Sequence, residues 1–317
     1  MKPHLKDIFD SRILLSPLNW GFGHISRCIP IIRQLIKQGN YLIICCNKSQ
    51  ADIFEDYLEN KNKSYEIVFF EGYPFAFNGK GNFKTDLLKR SFQLLKFYNF
   101  EKKWVDEKVR KLKIDFVISD HRYGFHSKKC HSIFITHQYN IPTSFIANKI
   151  HQSFFKKFQT VWIIDDENKS LAGNLSNHYQ DERAIKIGTK SRFEIYRDRG
   201  EKTKSVLILN GPEKYWQALL DFFKEKLIAG EIDTLVLSDN SKVTVPKEFC
   251  GTLISNKSWI EMDQLLLQAK KVYGYMGYST LMDLLELQIS FENLIPCKGQ
   301  SEQQYLYKLH KTKKSQP

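Results

Sequence analysis

The chain has 317 residues, 42% of them hydrophobic and 14% aromatic, with a formal net charge of +13. That length accommodates two domains of ordinary size, and that hydrophobic content excludes a disordered chain. The positive balance suits an anionic partner (nucleic acid, an anionic membrane surface or a phosphorylated substrate) and equally suits a lysine-rich soluble surface.

From the N-terminus, apolar runs alternate with amphipathic ones. Strands are expected at Arg12–Ser16, Tyr41–Cys46, Tyr65–Phe70, Phe116–Ser119, Ser132–Thr136 and Thr160–Ile164, with helices at Ile25–Lys37, Gln50–Leu58 and Lys84–Lys111. The polar segment Arg192–Lys204 then reads as a linker. Beyond it, strands are expected at Ser205–Leu209, Thr234–Leu237, Thr252–Ile254, Lys271–Tyr273 and Phe291–Ile295. Helices are expected there at Glu213–Leu227, Trp259–Gln268, Thr280–Leu287 and Glu302–Leu309. Continuous apolar strands separated by helices predict parallel sheets covered on both faces. The expected organisation is an α/β chain of two Rossmann-like, doubly wound domains, residues 1–195 and 196–317, with chemistry in the loops after strands.

Six cysteines (Cys28, Cys45, Cys46, Cys130, Cys250, Cys297) show no C-x-x-C spacing, which argues against a zinc site or disulfide framework and fits a reducing compartment. The N-terminus is too polar for a signal peptide, and no run approaches about 18 apolar residues. A cytoplasmic chain is expected, at most peripheral on the inner face of a membrane.

The first strand leads into Gly21-Phe-Gly23-His24 and a helix. A dinucleotide fingerprint would need glycine where Ser26 stands and an acidic residue at the end of the second strand, which instead ends in Cys45-Cys46-Asn47. A P-loop would need Gly-Lys-Ser/Thr, which is absent. What remains is a glycine turn at a helix N-terminus suited to anions. His24 is then either a helix-capping side chain or a base. The loop after the fourth strand, Asp120-His121-Arg122, opens on the same sheet edge, so Asp120 is a candidate to orient His24. Alternatively, Asp120 is a structural cap paired with Arg122.

In the second half, Gly274-Tyr-Met-Gly277-Tyr278-Ser279-Thr280 leads into a helix, an arrangement suited to a diphosphate. Asp283 and Glu286 lie about one turn in, within reach of ribose hydroxyls. Gln300, Gln303 and Gln304 suit sugar hydroxyls, and Gly211 marks a third glycine loop after a strand. Asp165-Asp166 are adjacent at a strand end, where side chains diverge, and do not read as a metal pair. The segment Lys89–Lys113 mixes lysines with Phe92, Phe97, Phe100 and Trp104. It reads either as a helix packing an aromatic stripe on the sheet or as a membrane-surface helix. No nucleic-acid-binding motif is present.

Taken together, PLNWGFGHISRCIPII (Pro17–Ile32), SDHRYGF (Ser119–Phe125) and GQSEQQYL (Gly299–Leu306) resemble motifs of the nucleotide-sugar glycosyltransferases of the GT-B fold. The likeness is to the family 28 type, which includes the N-acetylglucosaminyltransferase that completes the lipid-linked peptidoglycan precursor, and within it to a bacterial set carrying these three motifs. The resemblance implies an inverting, metal-independent transferase without a resident cofactor, taking a UDP-sugar and a saccharide or lipid-linked envelope acceptor. It implies catalysis by His24 and Asp120, with Asn19, Gly21, Gly23 and Arg122 in an acceptor- and phosphate-facing loop. Donor binding would fall to Gly211, Gly277, Tyr278, Ser279, Thr280, Asp283, Gln300, Gln303 and Gln304. An epimerase acting on the nucleotide-sugar, and a non-catalytic nucleotide-sugar-binding protein, are the alternatives. Two departures stand out: His121 replaces a usual Asn, and the set continues with further helices where this sequence ends in HKTKKSQP, so a shortened C-terminal domain is expected.

Overall fold

A computed structural model describes residues 2–58, 64–74, 89–179, 181–196, 200–237, 243–255 and 258–312. The chain divides into two compact units, the first ending at Arg192 and the second beginning at Phe193.

The first unit holds seven strands: β1 (Arg12–Pro17), β2 (Tyr41–Cys46), β3 (Tyr65–Phe69), β4 (Phe116–Asp120), β5 (His131–Thr136), β6 (Thr160–Ile163) and β7 (Ala184–Lys186). They form one parallel sheet in the order β3-β2-β1-β4-β5-β6-β7. Among the described residues, four α-helices accompany it: α1 (Phe22–Lys37), α2 (Lys48–Tyr57), α3 (Ser91–Leu112) and α4 (Phe145–Phe155). Burial on both faces explains why β1, β2 and β5 are apolar or small almost throughout.

The second unit repeats the plan on a smaller scale. Its strands are β8 (Lys204–Ile208), β9 (Thr234–Val236), β10 (Thr252–Ile254), β11 (Ala269–Tyr275) and β12 (Leu294–Ile295). They are again all parallel, in the order β10-β9-β8-β11-β12. The helices are α5 (Trp216–Phe222), α6 (Lys224–Ile228), α7 (Trp259–Leu267), α8 (Tyr278–Glu286) and α9 (Ser301–Thr312). Its core gathers Leu207, Leu219, Leu227, Leu235 and Tyr273.

Four elements differ from the sequence reading. The helix expected over Glu213–Leu227 is a 3-10 turn (Glu213–Tyr215) followed by α5 and α6. Its break falls at Phe223, whose buried ring packs on Tyr273 at 5.3 Å while neighbouring Phe222 stays exposed. Gly274 belongs to β11 rather than to the turn: a Cβ there would lie 2.9 Å from Ile208 Cγ1, so only glycine allows β8 and β11 to pack this closely. Strand β7 and helix α4 were not anticipated. The former is three residues long, and the latter leaves Phe145, Ile146 and Ile150 exposed, so neither shows a clear burial period. Of the long helix expected at Lys84–Lys111, residues 84–88 lie outside the described residues; the remainder is α3.

Candidate active site

In each sheet the strand order reverses beside one central pair, β1/β4 in the first unit and β8/β11 in the second, and such switch points hold ligands in open α/β sheets. Register places Pro17 of β1 beside Asp120, the last residue of β4, and the Leu18 N–H donates to the Asp120 carbonyl at 3.0 Å. The chain then turns through Gly21, whose φ of +85° is open to glycine at little cost, and enters α1. Gly21 is the helix N-cap, and no side chain caps it. Since His24 sits in the first helical turn with its ring directed at Asp120, the capping alternative is not realised.

His24 Nδ1 lies 2.9 Å from Asp120 Oδ2. A second group reaches the same nitrogen: Arg27 Nη2, at 2.8 Å. Arg27, three residues along α1 and therefore on the same helix face, also forks onto Asp120 through Nε and Nη2. Its remaining Nη1 lies 2.8 Å from His137 Nδ1, just beyond β5. Arginine has no acceptor atom, so His137 Nδ1 carries no proton in that contact. Among the described residues, no hydrogen bond engages His24 Nε2.

Arg27 and Asp120 are both fully buried, and the His24 side chain is 16% exposed. Burial alone would raise the Asp120 pKa; Arg27, and after it His24, overcome that and hold it at about 2. Burial, reinforced by Arg27, lowers the His24 pKa below its ordinary value against the pull of Asp120. His121 adopts a left-handed backbone (φ 59°), a conformation in which Asn, Asp and His are enriched. The His121 Nε2 is 2.7 Å from Thr136 Oγ1, and its ring centre lies 5.7 Å from that of His24.

Arg122 requires a correction. It is not on a phosphate-facing surface and does not pair with Asp120: it is wholly buried, and its Nε donates to Glu101 Oε1 at 2.6 Å. The Glu101 Oε2 accepts from the Tyr73 hydroxyl, and Arg122 Nη2 donates to the Glu71 carbonyl. The Tyr73 N–H in turn donates to Asn19 Oδ1 at 2.9 Å. Gly72 is needed there, because a Cβ would overlap the Asn19 amide at 2.1 Å. Asn19 thus ties the loop after β1 to the loop after β3, and Arg122 ties the loop after β4 to both. Gly23 lies in the first turn of α1.

In the second unit, Gly277 is the N-cap of α8, and Ser279 and Thr280 are half-buried in its first turn. Tyr278 is 3% exposed, its side chain packed inward at the start of the helix. Asp283 follows on α8, 5% exposed. Gly211 takes a φ of +79° in the loop after β8. Next to it stands a residue the sequence reading missed. The Asn210 carboxamide accepts from the Tyr275 N–H and donates to the Tyr275 carbonyl, both at 2.7 Å, and reaches Thr280 Oγ1 at 3.2 Å. It joins the loop after β8 to the start of α8. Gln303 is likewise an internal brace rather than a free sugar ligand: its Oε1 accepts from Cys297 N, its Nε2 donates to Gln300 Oε1, and it is 6% exposed. Gln304 is exposed and Gln300 half-buried. Asp165 is spent on its own loop, accepting from Asp166 N, Ala172 N and Ser176 Oγ.

Of the missed residues, Arg27 had a usable signal in its i, i+3 spacing from His24, and Glu101 one in its i, i+4 and i, i+8 spacing from Val105 and Val109, a carboxylate on a buried stripe. Asn210 and His137 had only their positions after strands.

Two parallel sheets of this order and connectivity define the GT-B fold of glycosyltransferases. The solved structures that share it include the glycotransferase of kitacinnamycin (TM-score 0.63, 12% identity, covering 93% of this chain and 83% of that one). An Arabidopsis thaliana UGT complexed with UDP-L-rhamnose aligns with a TM-score of 0.59 at 10% identity, over 94% and 82% of the two chains. The spinosyn rhamnosyltransferase complexed with thymidine diphosphate gives 0.57 at 10%, over 96% and 91%. No family model and no curated protein sequence matches the chain.

Proposed function

We propose that the chain is a glycosyltransferase that moves a sugar from a nucleotide-sugar, a UDP-sugar, to an acceptor hydroxyl with inversion and without a metal. The observation carrying this reading is the His24–Asp120 contact of 2.9 Å at the switch point of a GT-B sheet, with Nε2 unengaged among the described residues. With the Nδ1 proton donated to Asp120, Nε2 keeps its lone pair and accepts the acceptor's hydroxyl proton. The acceptor oxygen bonds to the anomeric carbon as the bond from that carbon to the diphosphate oxygen breaks, and the electron pair leaves with the nucleoside diphosphate.

The donor is assigned to the second unit. The backbone N–H groups opening α8 at Gly277, Tyr278, Ser279 and Thr280 would take the diphosphate charge, with the Gly211 loop beside them. Asp283 would take the ribose, and Gln300 and Gln304 the sugar, with Gln303 bracing their loop. The UDP-sugar and thymidine diphosphate held by two of the similar structures support a nucleoside diphosphate donor.

The acceptor is a saccharide or a lipid-linked molecule at an anionic membrane surface. Phe92 and Leu95 on α3, with Phe145, Ile146 and Ile150 on α4, are more than half exposed, and Lys96 and Lys149 lie over the Phe92 and Phe145 rings. Such aromatic and basic surfaces suit an amphiphilic, negatively charged molecule.

His24→Ala is expected to abolish transfer, by at least about 10²-fold for a lost general base, while UDP still raises the melting temperature as in the parent. Full turnover in that variant would sink the base assignment. Consumption of the donor with no acceptor present would reassign the chain to epimerase chemistry.

A further inference from the structure

The motif that carries His24 also carries Arg27, and the mechanism above leaves that buried cation without a task. Its position is unusual for a mere counter-ion. The guanidinium holds both oxygens of Asp120 and sits 2.8 Å from the very histidine nitrogen that Asp120 also approaches. One ring nitrogen cannot both donate to a carboxylate and accept from a guanidinium. The two neighbours therefore pull His24 in opposite directions. Asp120 favours a proton on Nδ1 and stabilises an imidazolium; Arg27 cancels the carboxylate charge and repels an imidazolium.

We infer that Arg27 is a positioning residue that sets the basicity of His24: by neutralising Asp120 and standing as a like charge beside the ring, it keeps the imidazole uncharged, with the proton on Nδ1 shared toward Asp120 and Nε2 ready to accept another. Charged and titratable groups face His24 from every element packed against it. From its own helix there is Arg27, from β4 Asp120, from the turn after β4 His121, and from beyond β5 His137. Arg27 is the permanent cation among them, and the single anion, Asp120, is shared with its guanidinium. Burial, the larger influence, lowers the His24 pKa in the same direction as Arg27. In chemical terms the cluster trades base strength for availability. A histidine paired with an unshared aspartate would be a stronger base, yet protonated over much more of the acidic range.

This inference rests on the reading of His24 as the base, but its test does not need turnover. In histidine-15N-labelled protein, the His24 ring resonances are assigned by their loss in His24→Ala, and their shifts report the midpoint of protonation and which nitrogen holds the proton. Arg27→Met should raise the His24 midpoint by about one pH unit or more, the size of effect expected when a like charge in contact is removed and an opposite one released. Asp120→Asn should lower it. An unchanged or lowered midpoint in Arg27→Met overturns the inference.

Either single variant leaves a buried charge unpaired and can fail to fold. The double variant Arg27→Met/Asp120→Asn removes both charges and decides the matter in that case. A midpoint equal to or above the parent's supports the inference; a marked fall shows that Asp120 alone governs His24 and overturns it. Should His24→Ala retain full transfer, the base assignment fails while the midpoints still report on Arg27. If both hold, the acid limb of the pH profile of kcat/KM moves with the midpoint in each active variant.

Discussion

His24 is one of several histidines in the first unit that folding holds below their ordinary pKa. Burial, then nearby Lys102, lowers His126 to about 4, and burial lowers His151 to about 4. His126 is 1% exposed and His151 4%, the latter held by the Tyr123 hydroxyl and the Gln138 carbonyl. Unfolding returns each to about 6.5. The unfolded state therefore binds more protons at mildly acidic pH, and stability is full above about pH 6.5 and declines as the pH falls toward 4. These two groups together should cost about 2 kcal/mol per pH unit near pH 5.5. Urea midpoints between pH 7.5 and 5 would check this; a flat profile would contradict it. Asp120, held at about 2, adds its own loss only below about pH 4.

At the level of elements, the loops after β1, β3 and β4 are fastened through one buried ion pair, Glu101 with Arg122, whose side chains are both fully excluded from solvent. Phe70, Tyr73, Phe97 and Phe125 surround the guanidinium within 4.8–6.0 Å, so little but Glu101 balances its charge. Removing one partner leaves the other buried and uncompensated. Arg122→Met is expected to destabilise by about 3–5 kcal/mol, and Glu101→Gln similarly, whereas the double variant should lose much less than the sum. Denaturant unfolding in a double-mutant cycle measures the coupling, and additive losses would argue against it. Helix α3 shows the same division along its length. Its C-terminal half packs inward, with Trp104 4.2 Å from Phe70, while Phe92 and Leu95 near its start remain exposed.

For the whole molecule, the net charge of +13 makes attraction to anionic surfaces the default at low ionic strength. Among the described residues no helix is long and apolar enough to cross a membrane. Reversible binding to anionic phosphatidylglycerol vesicles is expected, none to neutral phosphatidylcholine, and a steep loss as salt rises. If the apolar residues of α4 also insert, the Phe145→Ser/Ile146→Ser variant should bind at least about tenfold more weakly, since each buried side chain is worth about 1.5–3 kcal/mol. Co-sedimentation at two salt concentrations checks both, and parent-like binding by the variant would leave charge as the only contribution.

The sequence by itself determined the alternation of strand and helix, the two-sheet plan and the glycine turns at strand ends. Those features are written within about ten residues, as apolar runs, helical periods and turn chemistry. It also brought His24 and Asp120 under consideration together, because loops after parallel strands share an edge. Only the tertiary structure decided the partners. Asp120 meets Arg27, 93 positions away, rather than Arg122 two residues on, since β4 lies beside β1 and α1 rises over that junction while Arg122 turns under toward α3. Likewise, Gln303 became a brace and Asn210 a clasp through contacts that no local pattern records. A charged or amide side chain can satisfy itself in many directions, and which partner it takes is set by the packing of elements distant in sequence. The turn that holds His24 was legible from its glycines, and Arg27 from its i, i+3 spacing; that the arginine competes for the ring nitrogen was not.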